Sequence, residues 1–542
     1  MFAAAAALGF LLLLLINIEQ YGMTWDSPEN LLTGRHYFNF YTTGERQWLD
    51  FGTYDTLYRD AGEDRPLLYT RNFNYPERYT PFANVVSAAA QRLFTENAGW
   101  VPDYVGYNLG VVAFAMLAVF VLACFTWQAF GPLASVAATL ALVTYPLFFE
   151  HAHNNPKDVP FAALVLLALW SYWQGERSGH RAWLFLSALA TGAALATRVT
   201  AAEVWLIIGL AYLPQAWKSR PNGFRSASRA YRPLLWHVPL ALTTFLALWP
   251  WLWPDPIGRL RAHLAFGSDV SRGLRVLYNG AIRHSGETLP WHYTLVIFIL
   301  STPLVTLAGG MAGLGAALAC GVRRRDAAAI MFALLFLLAL LRTSLPFLPQ
   351  YDGTRHMMDG IVGFAGLFGL GFSVFWEALR RRWPRLSPAV AAVALGLLFA
   401  PVIIMLARLH PFQGIYYNTL AGGPRGAYDR FPQEYWGSSY ALGTRWINEN
   451  TEPDALILAR VAGQLANNYL SGDRRIIPDE ALPSLSPDTI VYVAYITRRD
   501  KYDWIVEYAD AALAPVFVLE RGGVPVLKVI RTEAGVLQSA QP

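Results

Sequence analysis

Charged residues are scarce in this chain of 542 residues, making up only 15% of it, whereas 54% of the residues are hydrophobic. A soluble domain averages about a quarter charged residues. The shortage argues against an ordinary water-soluble protein and indicates a chain that lies largely in a membrane. The net charge of +5 is also too small to favour nucleic-acid binding.

Cysteine is nearly absent, with only Cys124 and Cys320, both inside apolar runs. This excludes a disulfide framework and argues against a cysteine metal site. The sequence contains neither a G-x-G-x-x-G fingerprint nor a Walker A loop, which argues against a nucleotide-powered pump. No internal repeat is evident, and this weakens the case for a transporter built from repeated halves.

Long apolar runs, in contrast, are abundant. A membrane helix needs about 20 mainly apolar residues, and the chain contains eleven candidates. We therefore predict a polytopic α-helical membrane protein. The predicted spans are Phe2–Ile18, Tyr104–Trp127, Gly131–Phe149, Val159–Gln174, Ala182–Thr197, Val199–Trp217, Pro233–Trp253, Trp291–Ala319, Ala327–Leu345, Gly360–Trp376 and Pro388–Ala407. The first lacks the flanks of a signal peptide, so we expect it to be a retained membrane helix.

Basic residues crowd four of the loops between these spans, and with eleven spans all four loops fall on one side. The positive-inside rule makes that side the cytoplasm. The N-terminus is then predicted inside, and the excess of arginine over lysine is compatible with a bacterial inner membrane. The four groups are Arg177 and Arg181; Lys218, Arg220, Arg225, Arg229 and Arg232; Arg323, Arg324 and Arg325; and Arg380, Arg381, Arg382 and Arg385.

Three segments on the predicted outer side are too long to be simple connectors. Glu19–Asp103 contains amphipathic stretches such as Asn84–Phe94, and Asp255–Pro290 is rich in arginine, which suits an anionic headgroup or phosphate. We predict a small extracytoplasmic α/β domain over 409–542, after a transmembrane catalytic module over 1–408 whose first outer loop is 19–103. Its strand patterns are Ala455–Arg460, Thr489–Ile496 and Val516–Val529, and its helical patterns are Leu442–Asn450 and Tyr502–Ala512.

Asp26 follows the first span in the sequence Thr-Trp-Asp-Ser-Pro-Glu. Partial burial near the outer membrane boundary raises the basicity of a carboxylate, and such a group can take a proton from a hydroxyl. The alternative is a helix cap, in which Asp26 or Ser27 caps a helix that begins at Pro28. On spacing alone the cap is the better interpretation.

The next outer turn, Glu150–Pro160, is dense in polar side chains. His151, His153 and Asp158 have the atoms to ligate a metal, but His-x-His with a distant aspartate is a weak pattern. The alternative is an ordinary polar loop in which Asp158 caps the fourth span. We predict a catalytic role for Asp158 at the substrate site and substrate-binding roles for His151 and His153, and we assign no metal.

Arg198 separates the fifth and sixth spans in Thr-Arg-Val-Thr-Ala, with Glu203 about one turn further on. An ionisable residue at the edge of a span is a candidate functional residue. An Arg198–Glu203 ion pair, or snorkelling of Arg198 to the lipid headgroups, is an equally good alternative.

Two Arg-His pairs occur in later outer segments, one of them shortly before Tyr293. Arginine binds phosphate bidentately, and a neighbouring histidine can donate to a phosphate oxygen. Anchoring at the membrane interface is the alternative, although two such pairs on one face are harder to explain in this way. The predicted substrate-binding residues here are Arg283, His284, Tyr293, Arg355 and His356.

In their order and shared side, these motifs resemble those of the GT-C glycosyltransferases, in particular the branch of protein O-mannosyltransferases and aminoarabinose transferases (glycosyltransferase family 39 and its relatives). Asp26 is similar to the family's acidic residue after the first span, although Ser27 stands where many relatives have a second acidic residue. Asp158 corresponds to the acidic residue of the next outer loop. Arg198 replaces the lysine of Thr-Lys-x-Thr-Ala, and Tyr351–His356 is similar to a late motif of bacterial members.

This resemblance implies an inverting glycosyltransferase that uses a polyprenyl-phosphate sugar at the outer face of the membrane. Asp26 would be the general base on the acceptor hydroxyl, and Arg198, Arg283 and Arg355 would stabilise the departing lipid phosphate. The acceptor is a protein, lipid or glycan, the other partners are membrane lipids rather than nucleic acid, and a divalent metal is left open as the only cofactor.

Two other functions remain. A transporter or flippase needs polar residues at the bilayer midplane, but the exceptions, His237 and Arg342, lie nearer the ends of their spans. A non-catalytic subunit of an envelope glycan assembly machine would tolerate the loss of Asp26. The long outer segments and their dense polar motifs favour the enzyme.

Overall fold

The computed structural model describes residues 1–50, 79–219, 231–321, 323, 325–345 and 350–541. Four residues of the predicted basic loops, Arg220, Arg225, Arg229 and Arg324, lie outside these ranges. Most of the described residues are helical. The helices of the first half are α1 (Phe2–Asn17), α2 (Ser27–Thr43), α3 (Phe82–Gln91), α4 (Asp103–Phe130), α5 (Pro132–Val143), α6 (Pro146–Asn154), α7 (Asp158–Ser178), α8 (Arg181–Leu195), α9 (Glu203–Ser219) and α10 (Leu234–Ala247).

The second half adds further apolar helices and, after α16, a mixed segment of helices and strands. The helices are α11 (Pro256–Ser271), α12 (Tyr293–Ser301), α13 (Leu304–Ala316), α14 (Ala327–Arg342), α15 (Met358–Arg382), α16 (Pro388–Leu409), α17 (Gly423–Ala427), α18 (Tyr440–Asn450), α19 (Trp504–Ala512) and α20 (Ala534–Ser539). Short 3₁₀ turns at Val199–Ala202 and Arg355–Met357 lead into α9 and α15.

Five helices in the described ranges are long and apolar enough to cross a membrane, or six if the bent pair α5–α6 counts as one span. Helices α8, α10, α13 and α14 are apolar but shorter, so the number of eleven spans remains a prediction. Each predicted span nevertheless coincides with a helix or a pair of helices.

Two of the predicted spans are broken at proline. Helices α5 and α6 meet at 68° just before Pro146. Helix α12 ends at Ser301, and Pro303 is the N-cap residue of α13. Proline has no N–H to donate and disfavours helical geometry in the residue before it. The first break lets α6 run on to Asn154 and present its polar last turn at the end of the bundle.

Helix α15 packs against α4, α5, α7, α13 and α14. Its crossing with α13 depends on glycine, because a Cβ built on Gly313 would lie 1.8 Å from the carbonyl oxygen of Leu367, and one built on Gly371 would lie 2.4 Å from that of Gly309. Small residues let membrane helices approach closely and gain van der Waals contact. This contact fixes the position at which α15 begins.

We therefore expect Gly313→Ala to destabilise the fold, because its methyl group would collide with the backbone of α15. Overpacking of this kind costs about 1–3 kcal/mol. Gly315→Ala is the matched control on the same helix, since a Cβ there meets nothing within 4 Å and alanine favours the helix. Thermal unfolding of both variants in detergent tests this, and equal midpoints would contradict the close crossing.

The C-terminal segment, Leu409–Gln541, contains a five-stranded sheet with the order β4-β3-β5-β7-β6. Strand β3 pairs in parallel with β4 and β5, whereas β7 pairs antiparallel with β5 and β6. The strands are β3 (Leu456–Arg460), β4 (Arg475–Ile476), β5 (Ile490–Ile496), β6 (Phe517–Arg521) and β7 (Val524–Glu533). All but the short β4 lie where the sequence patterns predicted strands, and α18 and α19 match the predicted helices.

The core of this segment is shared with the part of the chain that follows α1. Met23, Leu31 and Tyr107 are buried in the same apolar cluster as β5 and β7. A separate hairpin, β1 (Arg275–Tyr278) and β2 (Ala281–His284), precedes α12. The sheet therefore packs directly against the end of the helical bundle at which α2 begins. The division of the chain into two domains at residue 408 remains a prediction.

Candidate active site

Polar side chains from four interruptions of the apolar helices converge at one end of the bundle. Asp26 precedes α2, Asp158 opens α7, Arg198 separates α8 from α9, and Arg355 and His356 open the turn before α15. The eleven predicted spans place the loops that carry these motifs on one side, and in the structure the motifs meet although they are far apart in sequence. The structure brings these five predicted residues together.

Asp26 occupies the N-cap position of α2, but its side chain makes no capping bond. Instead Arg355 Nη1 donates to Asp26 Oδ2 at 3.0 Å, while the Ser27 hydroxyl accepts from the backbone N–H of Thr24. The interpretation of Asp26 as a helix cap is therefore wrong. Its side chain is 33% exposed, so this carboxylate is open to a ligand.

The acidity of Asp26 differs from the prediction. Burial raises the pKa of the carboxyl group, but the positive charges of Arg355 and Lys157 outweigh it and hold the pKa below its ordinary value. Asp26 is thus ionised at neutral pH and can accept a proton. It is a weak base for as long as Arg355 holds it, which is opposite to the increase in basicity expected from burial alone.

Asp158 forms the second acidic position and is almost fully buried. Arg198 donates to one of its oxygens, and Asn155 Nδ2 donates to the other at 2.9 Å. Asp158 therefore does not cap α7. The predicted Arg198–Glu203 pair is also wrong, because Glu203 bonds instead to Arg342 at 2.6 Å.

Two nitrogen atoms in this cluster lack a partner within the described ranges. The second terminal nitrogen of Arg198 donates to His356 Nδ1 at 3.3 Å, so the neutral ring carries its proton on Nε2. His356 Nε2 and Arg355 Nε are both buried and make no hydrogen bond there. A buried donor without an acceptor costs about 1–3 kcal/mol, and the oxygens of an anionic ligand would satisfy both.

His151 and His153 lie on the last turn of α6. Both ring nitrogens of His151 have other partners, whereas His153 donates from Nδ1 to the backbone oxygen of Phe149 at 2.9 Å and its buried Nε2 has no hydrogen-bond partner in the described ranges. His151 accepts from Asn155 at 2.8 Å, bonds to the Tyr435 hydroxyl at 3.1 Å and stacks on Trp436. His153 stacks on Tyr21 with ring centroids 3.6 Å apart. These two residues and Asp158 do not form a metal cage, and the described residues contain no group of three or more His, Cys, Asp or Glu that could hold a metal ion.

Arg283 and His284 lie on β2, and no described contact joins them to Asp26, Asp158 or Arg355. Arg283 instead lines a small surface cavity with Tyr278 and Thr288. Tyr293 is closer to the site, since its hydroxyl accepts from the backbone N–H of Gly353 at 2.9 Å and so supports the turn that carries Arg355. The predicted substrate-binding role of Arg283 and His284 is left without a structural connection and stays a prediction.

The charges that lie deeper in the bundle are paired with each other. Arg342 donates to Glu203 and, at 2.8 Å, to Asp359, and His237 bonds to Ser187 and Trp205. The ion pairs of Arg342 are thus made within the bundle, although Asp359 Oδ2 is buried without a hydrogen-bond partner in the described ranges.

Sequence reasoning did not single out several residues that complete the site. Lys157 lies 4.1 Å from the centre of the Tyr79 ring and is attracted to Asp26. Asp352 bonds to both Arg355 and Arg498. One signal was available for Arg498, because it belongs to a charged run immediately after the apolar strand β5, but nothing in the sequence indicated its partner.

We expect Asp158→Asn to destabilise the protein, because Arg198 would lose the only carboxylate that contacts it in the described ranges. Breaking a buried pair costs about 3–5 kcal/mol, and the loss should fall at the lower end because Arg198 is 21% exposed. Asp479→Asn is the control: Asp479 is 42% exposed and its partner Arg460 keeps Asp503, so about 1 kcal/mol or less is expected. Equal unfolding midpoints for the two variants would mean that the Asp158–Arg198 pair does not form.

Residues 84–251 match the family model described as dolichyl-phosphate-mannose-protein mannosyltransferase. The matched range contains Asp158 and Arg198, whereas Asp26 and Arg355 lie outside it. No curated protein matches the chain in sequence.

The chain is similar in structure to ArnT from Cupriavidus metallidurans. The crystal structure of ArnT bound to undecaprenyl phosphate superposes with a TM-score of 0.52 at 14% identity, covering 97% of this chain and 97% of that one. The apo structure gives 0.51 at 15% identity, covering 100% of this chain and 98% of that one. The chain is therefore a multi-pass membrane protein with the GT-C fold, as the motif resemblance predicted.

Proposed function

We propose that this protein is a glycosyltransferase that moves a sugar from a polyprenyl-phosphate carrier to an acceptor hydroxyl, with inversion, at the outer face of a bacterial inner membrane. The observation that carries the proposal is that Arg355 contacts the accessible carboxylate of Asp26 and also has a buried donor, Nε, without a described partner. A base and an anion site thus share one guanidinium. The fold shared with a protein crystallised with undecaprenyl phosphate supports the same conclusion.

Asp26 takes the proton of the acceptor hydroxyl, and the oxygen attacks the anomeric carbon of the sugar. The bond between this carbon and the phosphate oxygen breaks, and its electron pair leaves with the lipid phosphate. A carboxylate on the acceptor side and positive charge on the leaving-group side suit the two charges that develop in such a transition state.

The lipid phosphate binds Arg355, His356 and Arg198. The unpaired nitrogens of Arg355 and His356 supply hydrogen bonds, and Arg198 supplies charge while Asp158 holds it in place. Because the phosphate competes with Asp26 for Arg355, its arrival weakens the ion pair and returns basicity to the carboxylate. Proton removal is thereby favoured when the donor is bound.

The lipid tail lies between helices and the sugar faces the outer surface, with the C-terminal segment above it. The acceptor is a protein, lipid or glycan hydroxyl. This arrangement follows from the predicted orientation, in which the four basic loops face the cytoplasm.

Asp26→Asn should abolish most of the transfer while donor binding persists. Loss of a positioned general base lowers kcat by about 10²–10⁴-fold, whereas removing the carboxylate frees Arg355 for the phosphate and leaves donor affinity equal or tighter. Transfer is measured with purified protein in lipid and a panel of radiolabelled polyprenyl-phosphate sugars. Asp103→Asn serves as the control, since Asp103 is 53% exposed and lies outside the cluster.

Equal turnover in wild type and Asp26→Asn would remove Asp26 from its role as the base. No turnover with any donor, in the presence of acceptor extracts, would contradict the enzyme and favour a transporter or an assembly subunit.

His356→Phe should weaken the binding of undecaprenyl phosphate, because phenylalanine keeps an aromatic ring but removes the Nε2 donor, together with the Nδ1 acceptor that holds Arg198. A hydrogen bond to a charged group contributes about 1.5–3 kcal/mol, which corresponds to roughly 10–100-fold in affinity. The measurement is the increase in Tm that the lipid phosphate produces, which follows its affinity for the folded protein.

His284→Phe is the informative comparison, because the sequence predicted that His284 also binds the phosphate while the structure places it on the β1–β2 hairpin. We expect its ligand-induced increase in Tm to equal that of the wild type. If the ligand-induced increase in Tm were smaller in His284→Phe but unchanged in His356→Phe, the phosphate would bind at the hairpin instead.

A further inference from the structure

The C-terminal segment reaches the site through Arg498, which is two residues beyond the end of β5 and 8% exposed. Its guanidinium donates to Asp352 Oδ1 at 2.7 Å, to Asp500 Oδ2 at 3.2 Å and to the backbone oxygen of Tyr435 at 2.6 Å. A buried arginine with three acceptors is firmly fixed in place.

Asp352 connects Arg498 to Arg355 of the site. Its second oxygen, Oδ2, lies 3.1 Å from Arg355 Nη2, and Arg355 Nη1 lies 3.0 Å from Asp26 Oδ2. Arg498, Asp352, Arg355 and Asp26 thus form a row of four side chains with alternating charge. The row begins in the sheet of the C-terminal segment and ends at the accessible carboxylate.

A second set of contacts joins the same parts. The backbone oxygen of Trp436 accepts from the N–H of Trp25 at 2.7 Å, and its ring lies 5.2 Å from the guanidinium of Arg355. Arg498 lies 5.5 Å from the ring of Trp25. The residue before Asp26 and the arginine that binds Asp26 are therefore both held by the C-terminal segment.

We propose that Arg498 is a positioning residue of the active site, which acts through Asp352 to determine how firmly Arg355 holds Asp26. The effect on catalysis rests on the proposed function, whereas the effect on Asp26 itself does not. The C-terminal segment thereby contributes to setting the basicity of Asp26.

The physical reason is competition between two carboxylates for one guanidinium. Arg498 neutralises much of the charge of Asp352 and so limits its attraction for Arg355. Without Arg498, Arg355 is drawn toward Asp352 and its hold on Asp26 loosens. Without the charge of Asp352, Asp26 is the only carboxylate of the row that pairs with Arg355. The two changes therefore act on Asp26 in opposite directions.

In the described contacts, Arg498 is connected to Asp26 through Asp352 and Arg355. The charged and titratable groups that face Asp26, from every element packed against it, are Arg355, Lys157, Asp158, Glu29, Tyr79 and Tyr351.

The test measures the protonation of Asp26 directly in the donor-free protein. A carbodiimide reacts with protonated carboxyl groups, and mass spectrometry of the Asp26 peptide gives the extent of reaction as a function of pH. We expect the midpoint to rise by about one pH unit in Arg498→Met and to fall in Asp352→Asn, at the lower end of the shifts that one neighbouring charge produces. Asparagine suits position 352, because φ there is +54° and asparagine tolerates this conformation.

The matched control is Arg460→Met, since Arg460 also lies between two aspartates of the C-terminal segment, Asp503 and Asp479, but makes no described contact with the row. Its midpoint should equal that of the wild type. Arg498→Lys should restore part of the wild-type value, because lysine keeps the charge but not the fork.

If Arg498→Met does not fold, the double variant Arg498→Met/Asp500→Asn replaces it, because it leaves no buried Asp500 without a partner. Shifts of the same sign in Arg498→Met and Asp352→Asn, or a shift in Arg460→Met as large as in Arg498→Met, would overturn the proposal.

Kinetics then separate this inference from the proposed function. The acid limb of the pH profile of kcat/KM, which reports the donor-free enzyme, should shift in the same direction as the carbodiimide midpoint in each variant, with little change in KM for the donor at neutral pH. A wild-type protein without transferase activity would sink the proposed function, yet the carbodiimide midpoints would still decide whether Arg498 acts on Asp26.

Discussion

Charges that leave water must be neutralised by their neighbours, and this constraint organises the whole molecule. Most buried arginines of the described ranges that lie in ion pairs are placed between two carboxylates, because one pair alone rarely compensates for the loss of hydration. Arg198 differs: its described carboxylate partner is Asp158 alone, and its other nitrogen meets a neutral histidine. Arg198 therefore lies, without a second described carboxylate, beside the buried donors Arg355 Nε and His356 Nε2, which have no described partner and suit an anionic ligand. The arginines placed between two carboxylates are Arg35 (Glu96 and Asp103), Arg342 (Glu203 and Asp359), Arg355 (Asp26 and Asp352), Arg460 (Asp479 and Asp503) and Arg498 (Asp352 and Asp500).

Helix packing supplies the rigidity that such a balance needs. The close crossing of α13 and α15 at Gly313 fixes α15, and the turn at its start carries Arg355 and His356. One turn further on, Asp359 of the same helix pairs with Arg342. A single helix therefore anchors the surface site and the buried charges, so that a shift of α15 would break both sets of ion pairs at once.

The sequence predicted the parts of this arrangement that depend on local pattern, and it failed where partners are distant. The apolar runs predicted the helices, and the alternation of apolar and polar residues predicted the strands, because both patterns are local. Counting the spans between the motifs then predicted that Asp26, Asp158, Arg198 and Arg355 lie on the same side. Ion-pair partners are not local: Asp26 and Arg355 are 329 residues apart, and the nearer Glu203 was a plausible but wrong partner for Arg198. The helix breaks at Pro146 and Pro303 also have a local cause, since proline disrupts a helix, but apolar composition alone predicts one continuous span at each position.

The pairing of Asp26 with Arg355 links the basicity of the carboxylate to the ligand that Arg355 meets. Arg355 keeps Asp26 weakly basic, and under the proposed function only a bound phosphate draws the guanidinium away. The same arginine then stabilises the leaving group that it was released to meet, so that activation of the base and departure of the lipid phosphate depend on one side chain. Under the further proposal, Asp352 and Arg498 determine how easily that side chain moves, so that the C-terminal segment contributes to the timing of the reaction.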